Sequence, residues 1–214
     1  MQNYSTMLAM NSIDPNLTRA RALYYRLWHY MVIFIETEES FEELKALVDY
    51  LKNFPFDTQT QQAWQDWHAF LERGFEAFLA EQNAVLFAPD SSFVPMSASY
   101  YLEGQDNGKK RLEAIAILKQ SGLHLESHTL PYAVSEDDLG FLTLMMNAFL
   151  QQILEGQDLW ELHAQLFKDF FHLFGDAFIE AIASHKKSIC YQNCAIILSA
   201  FIKHERLFFN LISH

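Results

Sequence analysis

One run limits what this chain can fold into more than any other: SEDDLGFLTLMMNAFLQQIL, from Ser135 to Leu154. Ser135 is a good N-cap and Asp138, three residues on, can close a capping-box-like pair, so a helix is expected to start there with Glu136, Asp137 and Asp138 in its first turn. Acids in that position meet the positive end of the helix dipole. Leu139, Leu142, Met146, Phe149 and Ile153 then recur at helical spacing, while Phe141, Leu144, Met145 and Leu150 fill most of the remaining circumference. A helix apolar on nearly every side has to be enclosed by others. The spacing therefore predicts a central helix whose acidic mouth opens into a loop, where its carboxylates can meet a cationic partner.

The rest of the chain supplies the enclosing helices. Asp14 and Pro15 form a cap and first-turn pair, and Leu17, Ala20, Tyr24, Leu27 and Met31 follow at threes and fours toward an end near Glu36. Ser40 with Glu43 reads as a capping box for a second helix through Leu51, and a long third helix is expected from about Thr58 to Asn83. From Leu86 to Glu103 the periodicity fails at Pro89, Pro95 and a serine cluster. The same stretch carries Leu86, Phe87, Phe93, Met96, Tyr100 and Tyr101, so it reads as a loop with core-forming side chains. A helix from about Asn107 to Ser121, stopped at Gly122, should bury Leu112, Ile115 and Leu118. Its first turn holds Lys109, Lys110 and Arg111, the wrong sign for that end, so these are read as solvated or paired with acids, with an anionic group on a partner as the alternative. After an irregular Gly122–Val134 stretch and the central helix, Asp158 can cap a helix broken at Gly175. A short helix from Asp176 and an amphipathic one from Ser188 to Leu211 follow, the latter with Lys203, Glu205 and Arg206 outward. The expected fold is an all-α, single-domain bundle of about eight helices.

Charge narrows the partners. Of 214 residues half are apolar, only 20% are charged and 19 are Phe, so apolar surface is left over for a partner. The net charge of -12 disfavours a nucleic-acid phosphate backbone and favours cationic ligands. The N-terminal sequence lacks the basic start and apolar run of a secretory signal, and no apolar stretch is long enough to span a bilayer, so a soluble cytoplasmic protein is expected. Cys190 and Cys194, four apart, read as buried apolar thiols.

Catalytic motifs are not found. No Glu precedes a His by three, and Asp169 with His172 is a single i, i+3 pair. There is no Walker loop and no Gly-x-Ser-x-Gly. Enzyme is the weaker class, with a helical metalloenzyme using carboxylate and His ligands as the alternative.

Four segments together resemble one family: SASYY at Ser97–Tyr101, the Gly122 stop, SEDDLG at Ser135–Gly140, and FKDFFHLFGDAF at Phe167–Phe178. The likeness runs from RALYYRL at Arg21–Leu27 through Phe178. The chain is similar to the TorD/DmsD family of cytoplasmic chaperones for molybdenum redox enzymes. The family's Glu-x-Asp-His or Glu-Asp-His stretch maps to Glu136, Asp137 and Asp138, with Asp138 in place of the His. Its Pro and Ser-x-Tyr loop looks like Pro95, Ser97 or Ser99, and Tyr100 or Tyr101. Its late His-Leu is matched by His172 and Leu173, followed by Phe178 with no Trp between.

The resemblance implies a non-catalytic chaperone that needs no cofactor of its own. It would bind the twin-arginine signal peptide and the apo form of a molybdenum-containing reductase or dehydrogenase until the cofactor is inserted. Glu136, Asp137 and Asp138 would take the arginines. Leu86, Phe87, Phe93, Met96, Tyr100 and Tyr101 would line the groove for the apolar part of the peptide, and Ser99 and His172, from the matched motifs, would join the peptide-binding residues. Nucleic acid and stable membrane insertion are not implied. Either a monomer or a dimer exchanging helices across its long loops is compatible with the reading.

Overall fold

The Asp14–Pro15 pair does what its sequence predicts: the Asp14 carboxylate accepts from the backbone of Asn16 at 2.9 Å and Leu17 at 3.4 Å, and Pro15 opens the first helix. A computed structural model describes residues 14–87, 93–124 and 134–211, and among them every regular element is helical. In chain order these are α1 (Pro15–Val32), α2 (Glu38–Leu51), α3 (Thr58–Leu71), and α4 (Phe75–Gln82), which ends in a π turn, Asn83–Phe87. Then come α5 (Ala98–Glu103), α6 (Lys109–Ser121) and α7 (Leu139–Leu154). Next, α8 runs from Trp160–Leu166 through a second π turn, Phe167–Phe171, into His172–Ser184, and α9 (Cys190–Phe208) closes the series. The all-α expectation holds, with nine helices among the described residues where about eight were expected.

The run that set the fold does sit at its centre. Leu139, Phe141, Leu142, Met145, Met146, Phe149 and Leu150 of α7 are all buried, and α1 lies along it in the most extensive helix pair among the described residues. The opposite side of the core is aromatic. Trp28, Trp64, Trp67, Phe167, Phe170, Phe171 and Phe174 are fully enclosed where α3 and α8 pack on α9 and α1. Each such ring removes enough apolar surface from water to contribute about 2–3 kcal/mol before entropy is counted.

Several boundaries differ from the sequence expectation, each for a physical reason. The helix expected from Thr58 to Asn83 is broken at Gly74, whose φ of 95° no helix can accommodate. Conversely Gly175, expected to end a helix, lies inside α8, where a Cβ would collide with Cδ1 of Ile202; it is a packing glycine. The N-cap of α2 is Thr37, three residues before the expected Ser40 box, and Leu159 rather than Asp158 precedes α8. The Leu86–Glu103 stretch contains a short helix, α5, capped by Ser97. In α6 the buried residues are Ala114 and Ile117, whereas Leu112 is exposed, because only a narrow stripe of that helix meets α5 and α8. Glu205 is buried instead of outward: both its oxygens are held by Arg21, at 2.5 and 2.8 Å, with the Tyr25 hydroxyl at 2.6 Å. Cys190 and Cys194 are buried and free, as expected. The irregular Gly122–Val134 stretch lies mostly outside the described residues.

Candidate functional site

The first correction at the site concerns the start of α7. Ser135 is not its N-cap; Asp138 is, with its Oδ1 accepting from the Gly140 N–H at 2.8 Å. Glu136 and Asp137 therefore precede the helix instead of forming its first turn. This one-turn shift places them beside the SASYY segment. Leu139 donates its N–H to the Met96 carbonyl and Ala98 donates to the Asp137 carbonyl, both at 2.9 Å, so Ser97 and Asp138 form a one-residue antiparallel bridge.

Asp137 locks that junction. Its side chain is enclosed, with Oδ2 accepting from the Ser99 N–H at 3.0 Å and the Ser99 hydroxyl at 2.5 Å, and Oδ1 accepting from the Ser135 hydroxyl at 2.5 Å. Ser99, itself buried, accepts in turn from the Gly108 N–H at 3.0 Å. One carboxylate thus ties α5, the start of α6 and the start of α7 together. In this arrangement Asp137 positions the site and has no free surface for a ligand.

The neighbouring acids are accessible. Glu136, partly exposed, accepts from Arg111 Nε at 2.6 Å across to α6. Glu103 accepts from the N–H groups of Lys109 and Lys110, at 2.8 Å each, and so caps α6. Lys110 pairs with Glu113 at 2.5 Å. Acidic neighbours on both sides explain how α6 tolerates a cationic first turn, as the sequence suggested. Asp138 is partly exposed, yet loss of water around its carboxyl, with Asp137 adding a like charge, raises its pKa to about 7. On its far side, Nδ1 of His29 lies 2.9 Å from the Gly140 carbonyl, and burial lowers that imidazole to about 4, so it is neutral and donates.

The apolar candidates divide. Phe93 and Tyr100 are nearly half exposed, at 46% and 45%, and Leu173 is exposed at 52%. Met96 is half-buried. Tyr101 is also half-buried, its hydroxyl donating to the Pro95 carbonyl at 2.9 Å and its ring stacked on Phe174 of α8. Leu86 belongs to the core, and Phe87 rests edge-on against Phe34, 5.3 Å between ring centres. His172 accepts from Arg206 Nε at 3.1 Å and is tied to α9; burial and that guanidinium lower its pKa. The structure therefore gathers Glu136, Asp137, Asp138, Ser99, Tyr100 and Tyr101 at one junction and engages His172 and Leu86 elsewhere. Arg111 belongs to the junction too. Its sequence signal was the misplaced cationic turn, which called for an acid without naming Glu136.

No protein-family model matches the sequence, and no curated protein does. Among solved structures, the crystal structure of a provisionally assigned redox enzyme maturation protein from Archaeoglobus fulgidus matches with a TM-score of 0.56 over 86% of this chain and 93% of that one, at 18% identity. The two chains share a fold. Among the described residues no three His, Cys, Asp or Glu side chains gather as a metal would need, and no helix is long and apolar enough to cross a membrane. Burial, with the Glu81 carboxylate adding to it, pushes both cysteine thiols up, away from reactive thiolate.

Proposed function

We propose that this protein is a chaperone in redox enzyme maturation, acting in the cytoplasm on a molybdenum-containing enzyme of the DMSO/TMAO reductase type. It would hold the client by its twin-arginine signal peptide until the cofactor is inserted. The observation that carries the reading is the junction itself: an accessible carboxylate, Glu136, beside exposed apolar side chains, on a segment fixed by the buried Asp137. The shared fold supports the general role.

The chemistry of recognition follows from the contacts. In the free protein the Glu136 carboxylate is occupied by Arg111, an exposed guanidinium at 43%. A signal-peptide arginine offers the same planar fork, so it can replace Arg111 at little electrostatic cost. The apolar stretch of the peptide would lie on Tyr100, Phe93 and Met96, and the net charge of -12 would draw a basic peptide in. Titration calorimetry with synthetic twin-arginine leader peptides from the same genome, at low and moderate salt, tests this. Binding that weakens with salt and is lost when both arginines become glutamine is expected. Binding to no leader, or binding indifferent to those changes, refutes it.

A further inference from the structure

A peptide with two adjacent arginines needs two accessible carboxylates. Successive side chains of an extended peptide leave opposite faces of its backbone, so the two acceptors should stand apart and not side by side. Glu136 is one of them. The other acids already described at the junction are spent. Asp137 is sealed by Ser99 and Ser135. Asp138 caps α7, and its carboxyl, short of water beside Asp137, holds its proton to about pH 7. Glu103 accepts from the backbone of Lys109 and Lys110, and Glu113 accepts from Lys110 Nζ.

One further acid belongs to the junction, and no sequence motif pointed to it. Asp106 is exposed, in the 104–108 connection between α5 and α6. Both ends of that connection are held by α5: the Gly104 N–H donates to the Tyr100 carbonyl and the Gly108 N–H to Ser99 Oγ, each at 3.0 Å. Asp106 itself accepts from the Ser97 hydroxyl at 3.1 Å, and Ser97 is the residue bridged to Asp138. Bridge partners lie about 5 Å apart and two further residues add at most about 7 Å, so the Cα atoms of Ser97 and Glu136 are within about 12 Å. That separation suits two side chains splayed from neighbouring positions. Among the described residues Asp106 has no cationic partner, whereas Glu136 is answered by Arg111. Tyr100, whose N–H donates to the same Ser97 oxygen at 3.1 Å, adds an exposed ring to this corner. A carboxylate with an aromatic ring close by suits a planar guanidinium better than an ammonium.

We propose, on the basis of the chaperone reading, that Asp106 takes one arginine of the signal peptide and Glu136 the other, with the peptide backbone crossing the Ser97–Asp138 bridge between them. The two acceptors then come from different segments of the chain, and only one of them from the start of α7.

Calorimetry on Asp106→Asn tests this, with a twin-arginine leader from the same genome and two versions in which either the first or the second arginine is glutamine. The amide oxygen can still accept from Ser97, so the melting temperature should stay at the wild-type value. Asp106→Asn should weaken the intact leader by about fivefold, weaken one single-glutamine leader as much, and leave the other unchanged. Glu136→Gln should show the reverse dependence on which arginine remains. An Asp106→Asn protein that binds all three leaders as the wild type does overturns the assignment and leaves the chaperone reading standing. Equal weakening of all three, the mark of a net-charge effect, also overturns it, as does loss of the same arginine in both variants. A wild type that binds no leader removes the chaperone reading and the assignment together.

Discussion

Replacing Asp137 by alanine removes the acceptor of three hydrogen bonds at once and strands the buried Ser99 N–H. A hydrogen bond to a charged partner contributes about 1.5–3 kcal/mol, but three on one carboxylate are not additive, and the cost of burying the charge vanishes with it. A net loss of about 3 kcal/mol is expected, set mainly by the stranded Ser99 donors. For a chain of this size that lowers the melting temperature by about 6–12 °C. Asp137→Asn separates the geometry from the charge. Its carbonyl can still accept from Ser99 and its amide can donate to the Ser135 hydroxyl, so a loss nearer about 1 kcal/mol is expected. Chemical denaturation gives the two free energies, and hydrogen exchange reports the Ser99 and Gly108 amides, which should lose protection in the alanine variant first. An Asp137→Ala protein melting within about 2 °C of wild type, with the Ser99 amide still protected, would refute the locking role.

The other expectations concern single contacts. Arg111→Gln frees Glu136 and should tighten twin-arginine peptide binding, while Glu136→Gln should weaken it, both read by calorimetry. Glu205→Leu leaves Arg21 buried and unpaired and should cost about 3–5 kcal/mol in urea unfolding, far more than removing both charges together. Gly175→Ala should destabilise through its collision with Ile202 Cδ1, and Ile202→Val, which lacks that atom, should recover about 1 kcal/mol or more in a double-mutant cycle. Asp138 holds its proton in the fold up to about pH 7 but releases it near pH 4 when unfolded, so its contribution falls as pH rises from 4 to 7. Relative to wild type, Asp138→Asn should gain stability over that interval, by at most about 4 kcal/mol, and be level above it. Paired melts across the range check the sign.

Much was legible without coordinates because it is local. The Asp14–Pro15 start depends on contacts within one turn. The Gly122 stop does too: its φ of 68° and its N–H on the Lys119 carbonyl belong to the last turn of α6. The burial of α7 follows from apolar residues on every side of a single helix. A cap is not fixed by local sequence where several candidate oxygens lie close together. Around Ser135 the sequence holds two candidate oxygens three residues apart, and the pairing of the start of α7 with Met96 and Ala98, about forty residues upstream, selects Asp138.

Gly74 and Gly175 are one letter in the sequence, yet one breaks a helix and the other lets α9 approach α8, because the deciding atom at Gly175 is on Ile202. Glu205 looked solvated on an amphipathic wheel, and only the return of α9 to α1 brings Arg21, 184 positions earlier, close enough to bury it. By itself the sequence determined most of the helical segments and the all-round burial of α7, since these are set by neighbours within a few residues. The tertiary structure decided which acids are enclosed and which face a ligand, since the free energy of a buried charge depends on the partner that packing brings to it.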